Sequence, residues 1–303
     1  MNGTTVGLGR KLSSARDLEG VVRSMKALAA SSIGQYEKSV VSLHEYYRTV
    51  ELGLIACLRR SGTDAVIEKP RSSSVAKIGA VVFGSDQGLV GRFNEVLVES
   101  ALSTLKTVPG KPMHIWAVGD RAYSLVNDSG ICPTSLLYVP NSVEVITSLV
   151  GEILVEIEAL RKGDDAWTIY VFHNQTQSGV TYRPVVTKLL PLDRSWEAKI
   201  AGMPWPTKAL PDVMGGTQAA LRAFLREYLF VLLFQSSAES LASENASRLA
   251  AMQRAEKNID GILENLNRRL HRIRQESIDE ELFDVIAGFE ALSKRTSLAE
   301  RET

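Results

Sequence analysis

The sequence predicts an α/β domain inserted between two long helices, the N- and C-terminal helices pairing as an antiparallel coiled coil around an inserted three-layer α/β domain. Three observations point there. Residues 217–292 contain no proline and repeat apolar or small side chains every three or four positions. Residues 9–60 do the same with a stricter alternation. Between them, short apolar runs alternate with amphipathic segments, the pattern of strands and helices in a largely parallel sheet.

The C-terminal stretch is rich in Ala, Leu, Glu and Arg, which lose little rotamer entropy in a helix. Met252, Ala255, Ile259, Leu263, Leu266, Leu270 and Ile273 form one stripe on one helix face. At 1.5 Å per residue such a helix is on the order of 110 Å long, against about 30 Å for a small domain. Something equally long must cover the stripe. The N-terminal stretch offers it: Ala29, Ile33, Tyr36, Val40, Leu43, Tyr47, Val50, Leu54 and Cys57 step by four and three, a coiled-coil seam. Leu12, Ala15, Leu18, Val22 and Met25 carry the stripe on with a small slip. The two stretches bracket the rest of the chain, so their near ends, about Arg60 and Thr217, can meet in an antiparallel hairpin; the alternative is a homodimeric coil or two separate bundle helices. The C-terminal stripe breaks between Arg274 and Asp279 and resumes at Leu282, Val285, Phe289 and Leu292. The shorter helix has no residues left to cover this tip, which therefore asks for a partner protein.

These readings divide the chain into an N-terminal shaft helix (1–62), an α/β domain (75–191), a connector (192–216) and a C-terminal shaft helix (217–303). Gly62 to Ser74 is polar and reads as a linker. Strands are expected at Lys77–Phe83, His114–Val118, Leu136–Val139, Trp167–Phe172 and Tyr182–Leu190, the last at an edge because of Pro184. Helices are expected at about Asn94–Leu105, Arg121–Asn127 and Val143–Leu160. The connector, with Pro204, Pro206 and Pro211, is expected to be irregular.

The first strand runs into Gly84-Ser85-Asp86-Gln87-Gly88-Leu89-Val90-Gly91. A glycine-rich turn between strand and helix can cradle a phosphate on backbone N–H groups. Neither dinucleotide nor P-loop spacing is present, and Gly110-Lys111 is followed by Pro112. The turn reads as structural or as a contact surface for another subunit. His44, His114, His173 and His271 are scattered without metal-ligand spacing, and no G-x-S-x-G elbow occurs. Asp164-Asp165 reads as a solvated turn. The cluster Arg268, Arg269, His271, Arg272 and Arg274 shares its helix with Glu264 and Glu276, the usual look of a solvated face.

Composition sets the outer bounds. The 303 residues carry 35 basic and 35 acidic side chains, a balance that gives no footprint for nucleic acid. Cys57 and Cys132 form no ligand spacing and read as two buried thiols in a reduced, intracellular setting. The N-terminus lacks a secretory apolar core. The strongest apolar run, Tyr228–Phe234, is far short of the ~20 residues of a membrane span, so a soluble chain able to dock on a membrane complex is expected.

Three groups of residues resemble one known family. The C-terminal helix carries Ala242-Ser243-Glu244, Arg248, Ala251-Met252, Ala255, Asn258, Leu270, Arg274-Gln275, Ile278, Glu281-Leu282, Ile286 and Gly288. The N-terminal helix carries Met25-Lys26 followed by Ala29-Ala30-Ser31, and the turn carries Ser85-Asp86, Gly88-Leu89, Gly91 and Asn94. Together they resemble the gamma subunits of F-type ATP synthases along essentially the whole chain. Gln87 stands where that family usually has arginine, and Val90 where it usually has cysteine. A divergent branch, such as the alternate bacterial F-type ATPases, fits these departures.

The resemblance implies a rotary shaft inside the ring of alpha and beta subunits. The α/β domain would be a foot that carries the epsilon subunit and rests on the membrane c-ring. It implies that Arg274, Gln275, Met25 and Lys26 contact a beta subunit and that Leu282, Val285 and Phe289 sit in the apolar collar of the hexamer. It implies that Ser85, Asp86, Gln87, Gly88 and Leu89 form a subunit-contact turn. No catalytic residue, cofactor or metal is expected, nor nucleic acid or a membrane span. The expected location is peripheral, at the cytoplasmic face of a bacterial membrane. The competing reading is an α/β nucleotide-using enzyme with a coiled-coil arm, and the glycine turn is its support.

Overall fold

The computed structural model describes residues 2–61, 77–108, 113–161, 167–177, 180–192, 194–209, 211–213 and 216–299. The expected linker at 62–74 lies outside them. Eleven elements follow in chain order: α1 (Asn2–Ser61), β1 (Lys77–Phe83), α2 (Phe93–Thr107), β2 (Met113–Val118), α3 (Asp120–Asp128), β3 (Ser135–Leu137), α4 (Val143–Arg161), β4 (Trp167–Gln177), β5 (Val180–Leu190), α5 (Arg194–Gly202) and α6 (Thr217–Ala299). The chain forms two compact units, one of Met1–Ala27 with Met252–Thr303 and one of Leu28–Ala251.

In the larger unit the sheet order is β3-β2-β1-β4-β5. The first four strands pair in parallel, and β5 runs antiparallel to β4. Side chains of β1 alternate between two cores, as the two-residue period of a strand requires. Ile78, Ala80 and Val82 face Leu97, Val98 and Ala101 of α2 and Ala122 and Val126 of α3. Val81 and Phe83 face Ile146, Val150 and Ile153 of α4, Leu54 and Leu58 of α1, and Leu229, Leu233 and Ala238 of α6. Both faces of the sheet are therefore covered, which explains why its strands read as nearly continuous apolar runs.

Pro184 lies on the edge strand β5, opposite Asn174, as its missing N–H demands. Two expectations need correction here. β4 does not stop at Phe172: its pairing with β1 ends at Val82–Phe172, but it continues against β5 to Gln177. The overhang His173-Asn174-Gln175-Thr176-Gln177 is polar, so the apolar signal ends before the strand does. The connector is not wholly irregular either. Arg194–Gly202 is helical and buries Ile200 and Glu197, and Trp196 Nε1 donates to Tyr228 Oη at 2.9 Å. The three prolines all fall after Gly202 and leave this turn of chain free to coil.

The two long helices run antiparallel within each unit. In the larger one, Tyr46 Oη donates to Glu227 at 2.6 Å, which pushes the Tyr46 hydroxyl up to about 12. The rings of Tyr47 and Tyr228 lie 5.8 Å apart. A Cβ on Gly53 would come within 2.3 Å of Phe224. Arg59 ends α1 by donating to the carbonyls of Ala201 and Met203 at 3.1 and 2.6 Å. In the smaller unit, Lys26 Nζ is 2.5 Å from Glu256, and Ala15 and Leu18 share an apolar groove with Ile259, Ile262 and Leu266.

All seven residues of the expected α6 stripe, Met252 to Ile273, are at least partly buried. On α1 the stripe fails at Leu18, which is 58 % exposed. It falls at the slip, where Glu19 and Arg23 instead pair along the helix at 2.5 Å. Cys57 is buried and its thiol is pushed up by burial, whereas Cys132 is exposed.

Candidate functional site

The glycine turn follows β1 and is closed by the chain itself. Gly84 has no room for a side chain: a Cβ would lie 2.4 Å from that of Ala122 and 2.8 Å from Asn94 Oδ1. Ser85 is fully buried. Its N–H donates to Asn94 Oδ1 at 2.9 Å, Asn94 Nδ2 donates back to Ser85 Oγ at 2.8 Å, and Ser85 Oγ donates to the Gln87 carbonyl at 2.9 Å. Gly119, at φ +101°, lets the β2–α3 junction approach the Ser85 backbone to a distance no Cβ would allow.

Asp86 Oδ1 accepts from the N–H of Asp120, the first residue of α3, at 3.1 Å. Asp86 Oδ2 accepts from Val139 N–H at 3.1 Å; Val139 thus lies beyond β3 rather than in it. A helix N-terminus next to a glycine turn is where a phosphate would bind. Here the chain's own carboxylate occupies it. Of the turn, Gln87, Gly88, Leu89 and Gly91 are exposed, with Leu89 62 % exposed and in the left-handed region at φ +63°. The turn thus presents a surface and shields its interior.

A second cluster, of which only Ser243, Glu244 and Arg248 stood out in the sequence as marks of the family resemblance, lies on α6 where it crosses the ends of β1 and β4. Ser240 Oγ donates to the Phe83 carbonyl at 2.7 Å and Ser243 Oγ to the Asn174 carbonyl at 3.0 Å. Ser247 Oγ donates to the Val90 carbonyl of the glycine turn. Ser243 Oγ also lies 3.1 Å from Thr176 Oγ1. Glu239 accepts from Gln175 at 3.0 Å and from Gln235 at 2.8 Å, and pairs with His173 Nε2 at 2.9 Å. Burial pushes the Glu239 carboxyl up, but the bonds from His173, Gln235 and Gln175 outweigh it and hold the group below the ordinary carboxylate range. One turn on, Glu244 is paired with Arg248 at 2.5 Å. Burial drives the Glu244 carboxyl upward against Arg248, with Asp86 adding to the rise. The one trace in the sequence is the spacing: Ser236, Ser240, Ser243 and Ser247 repeat by four and three, the step of one helix face.

The residues expected to meet a beta subunit or the hexamer collar fall in the smaller unit. Met25 is half-buried. Lys26 has a carboxylate partner: Glu256 accepts from it and is held below the ordinary range chiefly by that bond. Arg23 approaches the same carboxylate to 4.0 Å. Arg274 and Gln275 are exposed, while neighbouring Arg272 pairs with Glu276 at 2.9 Å. Leu282 and Val285 are 55 % and 69 % exposed, and Ile278, Phe283 and Ile286 join them on the surface. Phe289 is helical, but its side chain lies outside the described residues. Among the described residues no group of three or more His, Cys, Asp or Glu side chains is arranged to hold a metal, and no helix is long and apolar enough to cross a membrane.

A family model described as ATP synthase matches residues 5–292. The chain belongs to the ATP synthase family. It is 25 % identical over 287 residues to an ATP synthase gamma chain of Actinobacillus pleuropneumoniae serotype 3 (strain JL03), a match spanning 93 % of this chain and 97 % of that one. Its fold is similar to that of a chain in the rotor of the Euglena gracilis mitochondrial ATP synthase, with a TM-score of 0.58, 15 % identity and coverage of 92 % and 100 % of the two chains. A second structure of that synthase, of its OSCP/F1/c-ring assembly, gives a TM-score of 0.60 at 16 % identity, covering 96 % of this chain and 95 % of the other. In this ATP synthase family chain, two of the segments that carry the resemblance meet in space. Ser85, Asp86 and Asn94 build the closed turn, and Ser247 and Glu244 of α6 pack beside it.

Proposed function

We propose that this chain is the gamma subunit, the rotary central shaft, of an F-type ATP synthase. In this reading α1 and α6 stand inside the alpha–beta hexamer, and the α/β domain is the foot that carries epsilon on the membrane c-ring. The subunit does no bond chemistry. It rests peripherally at the cytoplasmic face of a bacterial membrane, and ion flow through the ring turns it. The observation that carries this reading is the end of α6, where Ile278, Leu282, Phe283, Val285 and Ile286 stand exposed on a helix. Water is a poor neighbour for five large apolar side chains in nine residues, and an apolar collar of a surrounding hexamer is a good one. In this reading Arg274 and Gln275, exposed one turn before, contact a beta subunit, as do Met25 and Lys26 on the paired helix. Such a shaft acts by touching three beta conformations unequally, since only differential interaction shifts populations. The closed turn argues against the nucleotide-enzyme alternative, because Ser85 and Asn94 bond each other inside it and Asp86 takes the nearby N-terminus of α3.

Assembly with alpha and beta subunits tests the proposal. Steady ATP hydrolysis by the hexamer is expected to depend on this chain, and a bead on the foot is expected to turn in one direction. The isolated chain is expected to turn over no ATP. Turnover by the pure subunit that disappears on changing Gly84 or Gly91 would overturn the shaft reading.

A further inference from the structure

We propose that Glu239, Ser240, Ser243 and Ser247 form a key that locks α6 against rolling in the α/β domain, so that twist passes between foot and shaft without slip. This rests on the rotary reading above and names the residues through which the foot grips the shaft.

A helix seated in an apolar groove is held in place but weakly held in angle. Apolar burial has no direction, so a helix that rolls within its groove can exchange one apolar neighbour for another. Hydrogen bonds do have direction and weaken steeply with angle. Across Leu229, Leu233 and Ala238 the contact of α6 with the domain is apolar. Immediately beyond, it changes character. Ser240, Ser243 and Ser247 are spaced three and four residues apart, one stripe along the helix, and all three are buried.

Their acceptors come from three separate parts of the domain. Phe83 is the last residue of β1, Asn174 lies on the β4 overhang, and Val90 belongs to the glycine turn. The overhang exposes a backbone edge because β1 ends at Phe83 while β4 runs on to Gln177, and α6 fills that edge. His173 and Gln175, two apart on one face of β4, both reach Glu239. A roll of α6 by one residue, about 100°, would take all these hydroxyls from carbonyls of buried residues, and a buried polar group left unpaired is costly. The serines thus oppose the one motion that apolar packing leaves soft.

The same bonds would exist in a protein where they merely add stability, so the test separates grip from stability. In a background with Cys132→Ser, the variant Ser240→Ala/Ser247→Ala/Thr176→Cys/Ser243→Cys removes two hydroxyls and replaces the Thr176–Ser243 contact, 3.1 Å between oxygens, with a thiol pair. The complex is assembled oxidised, with that disulfide closed, and then reduced after assembly. Hydrolysis and ion pumping are measured on the same vesicles in both states. The expected result is a fall of at least two-fold in ions pumped per ATP hydrolysed on reduction, with hydrolysis retained and full recovery on reoxidation. An unchanged ratio in the reduced, fully assembled complex would overturn the key, as would a fall that reoxidation does not restore. If the unaltered chain itself supports no coupled pumping, the rotary reading fails, and that result is distinct from failure of the key alone.

Discussion

Each oxygen of Asp86 serves a different loop, one at the start of α3 and one after β3. Replacing it with alanine leaves two N–H groups without their acceptor. Asp86→Ala is expected to cost about 1–3 kcal/mol, read as a lower urea midpoint at unchanged slope. Exposed Gln87, its neighbour, makes the contrast: Gln87→Ala is expected to stay within about 0.5 kcal/mol. Met25 poses a different question. Met25→Lys would bring a second ammonium beside Lys26, and Glu256 already serves Lys26 at 2.5 Å. The new charge must share that carboxylate or find one on a beta subunit, and a partner available in one rotary position only would favour that position. The expected outcome is ATP hydrolysis largely present with weakened pumping. Loss of both in proportion to lost assembly would mark Met25 as plain core.

The long helices show which parts of the structure could be read from the chain and which could not. The α6 stripe from Met252 to Ile273 and the α1 seam from Ala29 to Cys57 were legible because pairing over many turns imposes a period that single residues cannot hide. The sheet was legible for the same reason at period two. The β4 overhang was not, because His173, Gln175 and Thr176 find their partners on α6, far away in sequence. Helix α5 was masked by the prolines that follow it. Of the candidate site, the outward turn and the tip were legible, but the serine key was not, since buried serines look like solvent-facing ones until their acceptors are in place.

In most helix positions Gly→Ala gains about 0.5–1 kcal/mol, and Gly20→Ala on α1 is expected to do so, since nothing lies within 4 Å of the new methyl. Gly53→Ala is expected to lose about 1–3 kcal/mol instead, because the methyl would press on the ring of Phe224 at 2.3 Å. Paired thermal melts of the two variants check the opposite signs.

For the whole molecule, the exposed end of α6 makes the subunit incomplete by itself. Arg274 stands between the covered stripe and the apolar tip, and it is exposed. A charge-assisted hydrogen bond from it to a beta subunit would contribute roughly 1.5–3 kcal/mol. Arg274→Ala is therefore expected to leave the isolated chain as stable as before and to lower coupled activity by about ten-fold or more in the assembly. Unchanged assembly and activity would assign Arg274 to the solvated face that its basic neighbours suggest.

The two cysteines have a consequence of their own. Cys57 is sealed in the core with its thiol held in the protonated form, while Cys132 lies open on the foot. A maleimide dye applied to the native chain therefore has one address. It attaches to the domain that is expected to swing around the axis, leaving both long helices unlabelled. The polarisation of that single dye would report angular position, so the unmodified sequence already carries the pointer for its own dial.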